Sequence, residues 1–130
     1  MKKELQFIYE DESLVAINKP AGMLSVPDRM QSEESLKDML QKKYERIFVV
    51  HRLDKETSGV IIYAKHEEMH KHLSQQFENR ETIKHYAGIV TGSLPKAEGL
   101  VTTPCEDGAS IRYLVFNIFS TDNCSSICGV

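Results

Sequence analysis

No apolar run in this chain approaches the roughly 18 residues that a membrane-spanning helix needs, which excludes a helical span. The opening residues, Met1-Lys2-Lys3-Glu4-Leu5-Gln6, lack the apolar core of a secretory signal. A cytoplasmic chain with no membrane partner is therefore expected. Cysteine is scarce and odd in number. Cys105, Cys124 and Cys128 crowd the C-terminal end, with no Cys-x-x-Cys spacing and no nearby His partner. That pattern is neither a disulfide framework nor a zinc ribbon, and reads as free thiols in a reducing compartment. Excess positive charge is missing too, since the formal net charge is −3. The whole-chain balance thus does not announce a nucleic-acid binder. Only residues 42–84 reverse it, with nine basic against seven acidic groups. No internal repeat and no low-complexity tract is found, so solenoid and disordered classes are set aside.

What is present suits one soluble globular domain over residues 1–130, with 41% hydrophobic and 27% charged residues. Leu5 to Tyr9 and Leu14 to Asn18 read as strands joined by the acidic turn Glu10-Asp11-Glu12-Ser13. Lys19-Pro20-Ala21-Gly22 breaks the chain into a loop. Ser32 is placed as the cap of a helix running to about Tyr44, with Leu36, Met39, Leu40 and Tyr44 on one face. A strand near Phe48–Val50 and another over Val60–Ala64 follow. A second helix is expected from about Glu67 to Phe77, with Met69, Leu73 and Phe77 on one side. Ile83–Thr91, ended by Gly92-Ser93-Leu94-Pro95, is a further strand. Leu100–Thr102 and Arg112–Phe119 are two more. Ser120 to Val130 has weak patterning and no clear end. The expected fold class is α/β of the α+β kind, a mixed and largely antiparallel sheet with flanking helices, incomplete at its C-terminal end.

Between the fourth and third of these apolar stretches lies an unusual polar insert, His51-Arg52-Leu53-Asp54-Lys55-Glu56-Thr57-Ser58-Gly59. A plain hairpin takes roughly two to five turn residues there. A lone Asp at a strand end is most often a turn former. The functional alternative is a carboxylate held in one geometry by its neighbours. Thr57 and Ser58 are suited to fixing such a loop, and Gly59 to an unusual backbone turn. Arg52 shares a face with Asp54 in an extended segment. It is either an ion-pair partner or a cation open to a phosphate or an unstacked base.

This insert closely resembles the His-Arg-Leu-Asp-x-x-Thr-Ser-Gly signature of the RluA-type pseudouridine synthases. Ile17-Asn18-Lys19-Pro20-Ala21-Gly22 looks like that family's first motif, and Lys84-His85-Tyr86-Ala87-Gly88-Ile89-Val90 like its third. The resemblance covers roughly residues 5–104. It implies a pseudouridine-synthase-like fold and isomerisation of uridine to pseudouridine in structured rRNA or tRNA. The N1–C1′ bond breaks, the uracil turns, and C5 joins C1′, without cofactor or metal. By the same resemblance Asp54 is the catalytic carboxylate, as nucleophile or base toward the sugar, and Tyr86 contacts the flipped uracil. Arg52, His51, Lys19, Thr57 and Lys84 are implied as substrate or RNA contacts. Lys19 is expected to shape or charge the site rather than to react.

The pattern departs from the family in one respect. The family continues to a Gly-Arg-x-His-Gln-Ile-Arg segment whose basic residue pairs with the catalytic aspartate, and no such segment occurs here. A weak or inactive synthase, self-associating through an open sheet edge, is the resulting expectation. The alternative is a non-catalytic RNA-binding remnant. A remote competitor is His66-Glu67-Glu68-Met69-His70, which matches the helical zinc motif His-Glu-x-x-His of metalloproteases. Leu73 and Gln76 stand where the extended form of that motif wants Gly and His, and no third ligand is evident.

Overall fold

A computed structural model describes residues 4–90, 98–104, 111–121 and 124–129. The chain forms two compact units, residues 1–81 and 82–130. The turn expected at Gly92–Pro95, and Cys105, lie outside the described residues.

The first unit is an antiparallel sheet with two helices. Its strands are β1 (Gln6–Glu10), β2 (Leu14–Lys19), β3 (Phe48–Val49) and β4 (Gly59–Ala64). Their order across the sheet is β1-β2-β4-β3. The helices are α1 (Leu36–Lys43) and α2 (Glu67–Glu78). The acidic turn forms as expected, because the Asp11 carboxylate accepts the Ser13 and Leu14 amides at 2.7 and 2.8 Å. β2 and β4 pair from Leu14↔Ala64 to Lys19↔Gly59. This register sets Val15 and Ile17 beside Tyr63 and Ile61 on one face. They pack with Met23, Leu36, Leu40 and Ile47 into the core. Full burial of each such side chain is worth about 1.5–3 kcal/mol, so this cluster is the main favourable contribution of packing among the described residues of the first unit. β1 ends on Glu10, whose carboxylate accepts Tyr44 Oη at 2.6 Å and Lys65 Nζ at 2.9 Å. The Tyr44 hydrogen bond first, then that from Lys65, lowers the Glu10 pKa to about 2.

The first helix begins later than expected. Ser35, not Ser32, is its N-cap, and a full capping box joins Ser35 to Asp38. Ser32 instead donates both its amide and its hydroxyl to the Asp28 carboxylate, in the preceding loop. Both serines precede acidic residues. Only Ser35 has a carboxylate at the third helical position, and that decides between them. The apolar face is as read, with Leu36 and Leu40 buried and Met39 and Tyr44 packed against the core.

The second unit is a four-stranded antiparallel sheet of β5 (Tyr86–Val90), β6 (Glu98–Pro104), β7 (Ile111–Thr121) and β8 (Cys124–Gly129). Its order is β5-β8-β7-β6. β5 starts at Tyr86 rather than at Ile83, opposite Gly129 in β8. Ile83 is 77% exposed, outside the ladder. β8 is the strand that pattern reading missed. Cys124-Ser125-Ser126-Ile127-Cys128-Gly129 has no alternation of its own. Pairing on both sides, with β5 and β7, supplies the hydrogen bonds that its composition does not advertise.

Candidate active site

The polar insert connects β3 to β4 in the first unit. Its exposed tip carries Asp54, and the backbone on each side of that residue is tied down. The Thr57 amide donates to the Asp54 carbonyl at 3.1 Å, closing a turn. The hydroxyl of Ser25 donates to the Leu53 carbonyl at 2.6 Å and accepts the Leu53 amide at 3.1 Å. On the other side, the Lys55 carbonyl accepts the Gly22 amide at 2.8 Å and the Lys19 ammonium at 3.0 Å. The loop over residues 19–25 thus grips the residues before and after Asp54. The carboxylate itself is solvent-exposed, and no hydrogen bond or ion pair reaches it among the described residues.

Two glycines make this geometry accessible. Gly22 has φ of 77° and Gly59 of 136°. Both lie where a Cβ is strained, and Gly22 must adopt its turn to aim its amide at Lys55. Gly59 opens β4 opposite Lys19 and ends the insert.

Lys19 is placed inside the protein, 0% exposed. Its ammonium donates to the carbonyls of Pro20 (3.2 Å), Met23 (2.8 Å) and Lys55 (3.0 Å). An ammonium has three donors, and these bonds use all three. The charged end of Lys19 thus faces backbone rather than solvent. His51 is half-buried. Its Nε2 accepts the Ile62 amide at 3.0 Å, and its ring stacks on Phe77 with centroids 4.7 Å apart. Accepting that bond requires an unprotonated Nε2, so the neutral ring carries its proton on Nδ1. His51 therefore fastens the start of the insert to β4 and α2, and its edge is occupied where an RNA contact was expected.

Arg52 is exposed, and no ion pair joins it to Asp54. Of its two readings, the salt bridge is not formed. Thr57 is half-buried and holds the turn through its backbone. Tyr86 lies on β5 of the second unit, 46% exposed, and Lys84 is exposed just before it. Lys55 pairs with Glu33 at 2.9 Å.

Sequence reasoning missed Ser25 and Tyr63. Tyr63 is fully buried and donates its hydroxyl to the Ser25 carbonyl at 2.7 Å. Burial pushes its phenol pKa up. Ser25 and Leu53 are 28 residues apart, so no short-range pattern ties them together.

The zinc reading fails on geometry. His66 is not on the helix but is its N-cap, with Nδ1 accepting the Met69 amide at 3.2 Å. His70 bonds the Val49 carbonyl through Nε2 at 3.0 Å and stacks on Phe48. No cluster of three metal-binding side chains exists among the described residues. Added zinc should leave the melting temperature unchanged. His66→Ala should cost about 1 kcal/mol as a lost cap, with Asn largely restoring it. A zinc-dependent rise in melting temperature, lost in His70→Ala, would reinstate the metal site.

Comparison with known proteins agrees with the geometry. The RNA pseudouridylate synthase family matches residues 13–126. The dual-specificity RNA pseudouridine synthase RluA of Salmonella typhi is 42% identical over 101 residues, covering 77% of this chain and 46% of that protein. The RluA of Vibrio vulnificus is 40% identical over 100 residues, 76% of this chain and 40% of that protein. Human RNA Pseudouridylate Synthase Domain Containing 4 shares the fold, with a TM-score of 0.74 at 24% identity over 95% of this chain and 57% of that one. The chain thus spans less than half the length of these curated bacterial relatives. An antiparallel sheet presenting an aspartate on a tethered turn, joined to these matches, makes the chain a member of the RNA pseudouridylate synthase family, of the RluA type.

Proposed function

We propose that this chain isomerises uridine to pseudouridine in structured RNA, with Asp54 as the catalytic carboxylate. The observation that carries the reading is the anchored, exposed Asp54 turn, held at Leu53 by Ser25 and at Lys55 by Gly22 and Lys19. A carboxylate used as nucleophile or base must be open to the sugar and fixed in direction. The turn offers both. The exposed Arg52 guanidinium, two residues before Asp54, supplies a cation for the RNA backbone or for the place left by a flipped base. Tyr86 is the residue for contact with the extruded uracil, and Lys84 beside it is suited to a phosphate. Lys19, His51 and Thr57 act through the backbone they hold. The reaction needs no cofactor: the base leaves C1′ through N1, turns, and returns through C5, and the C5 hydrogen departs as a proton.

Ribosomal or transfer RNA is the substrate that the sequence resemblance implies, and the bacterial relatives are named dual-specificity RNA pseudouridine synthases. The cytoplasm is its place, and no described helix is long and apolar enough to cross a membrane. Self-association through an exposed sheet edge accompanies this reading. The edge expected from the sequence lies at the C-terminal end, and among the described residues β1 is a further edge, with Phe7, Ile8 and Tyr9 exposed. A second reading, RNA binding without turnover, is kept because no basic side chain pairs with the Asp54 carboxylate among the described residues. Nucleoside chromatography of RNA incubated with the chain separates the two. Pseudouridine appearing at the expense of uridine supports the synthase. Tight RNA binding with uridine intact supports the second reading.

A further inference from the structure

We propose that Ser25 is a positioning residue for Asp54, and this rests on the synthase reading above. Ser25 lies in the loop between Lys19 and α1, 3% exposed. It touches no atom that the reaction changes. Its single hydroxyl nevertheless makes both bonds described for the Leu53 backbone, donating to the carbonyl and accepting from the amide. A side chain here takes the place of a neighbouring strand, satisfying one residue's two backbone groups just where the insert has left β3. Leu53 is the residue immediately before Asp54, so the direction of the Asp54 Cα–Cβ bond follows from how Leu53 is held. Ser25 is itself held by the core, because the buried Tyr63 hydroxyl donates to its carbonyl at 2.7 Å. The chain of contact runs from β4 through Tyr63 and Ser25 to Leu53, and ends at the carboxylate.

The grip on the other side of Asp54 is separate. Gly22 and Lys19 hold the Lys55 carbonyl. Losing Ser25 therefore leaves the turn attached at one end, free to swing rather than detached. Small misplacements of a reacting group cost rate far more than they cost binding, up to roughly 100-fold per ångström. Ser25→Ala should accordingly lower kcat by about 10- to 100-fold while KM for the RNA stays within about twofold. Ser25→Thr, which keeps the hydroxyl, should retain most of the rate.

The test combines tritium release from RNA labelled at uridine C5 with amide hydrogen exchange, on the full chain. In Ser25→Ala the amides of Leu53 and Thr57 should exchange at least about tenfold faster, with the β2–β4 ladder unchanged. Ser25→Cys, a weaker donor and acceptor, serves if the Ala variant does not fold, and should fall between Ala and Ser. The proposal is overturned if Ser25→Ala keeps the wild-type kcat. It is overturned equally if rate and β2–β4 protection fall together, since that is general loss of stability. If folded wild-type chain releases no tritium, the synthase reading fails and takes this role with it. Active wild type with an equally active Ser25→Ala defeats the positioning role alone.

Discussion

Replacing Lys19 with Met should destabilise the protein by about 2–3 kcal/mol. Two opposing effects set the figure. Burying an ammonium costs several kcal/mol in lost hydration, and Met escapes that cost. Against it stand three charge-assisted hydrogen bonds, each worth about 1.5–3 kcal/mol in place. Without the ammonium, the Pro20 and Met23 carbonyls lose the bonds it makes, and Lys55 keeps only its bond from Gly22. The bonds win, because three acceptors converge on one nitrogen and none of the described buried side-chain nitrogen or oxygen atoms lacks a partner. The melting temperature should drop by roughly 10 °C or more, given about 4–8 °C per kcal/mol for a domain of this size. Arginine should not rescue, because its planar fork spreads its donors over three nitrogens. A melting temperature within a degree or two of wild type would show that the loop over residues 19–25 is held by its packing and not by this cation.

Asp54→Asn should do the opposite, removing activity while sparing the fold. The side chain is exposed and unbonded among the described residues, so its replacement by an isostere should change stability by no more than about 0.5 kcal/mol. An amide is neither nucleophile nor base, so the rate should fall on the order of 10³-fold or more. RNA affinity should stay close to wild type, and even rise slightly, since a negative charge has left a surface that approaches phosphates. Thermal melting, RNA binding and turnover measured on one preparation check all three parts. A variant that loses binding and rate together would assign Asp54 to RNA recognition instead.

Much of the fold was legible in the residues. The apolar face of α1, the extent of α2, the strands β2 and β4 and the Asp11 turn followed from periodicity and turn chemistry alone. The position of Asp54 at the tip of a strand connection was legible too, because a polar insert between two apolar runs has few other places to go. The internal side of the site was not. Whether Lys19 points out to RNA or in to three carbonyls depends on residues up to 36 positions away. Ser25 is one small hydroxyl among apolar neighbours, and its partner is fixed only when the sheet has formed. His51 was read as part of a motif facing the substrate, yet the Ile62 amide and the Phe77 ring claim it. β8 escaped because a strand paired on both sides does not need side chains that advertise it. In each case the missing information was a tertiary partner, not a local preference.

The central claim is that this chain performs the family's chemistry through Asp54. Tritium release from RNA labelled at uridine C5, run with wild type and Asp54→Asn at equal amounts of folded protein, tests it most directly. Forming the C5–C1′ bond expels that hydrogen, so release counts completed isomerisations. The account predicts steady release by the wild-type chain and none above background by Asp54→Asn. Equal release from both proteins, or none from a folded wild-type chain, would contradict it.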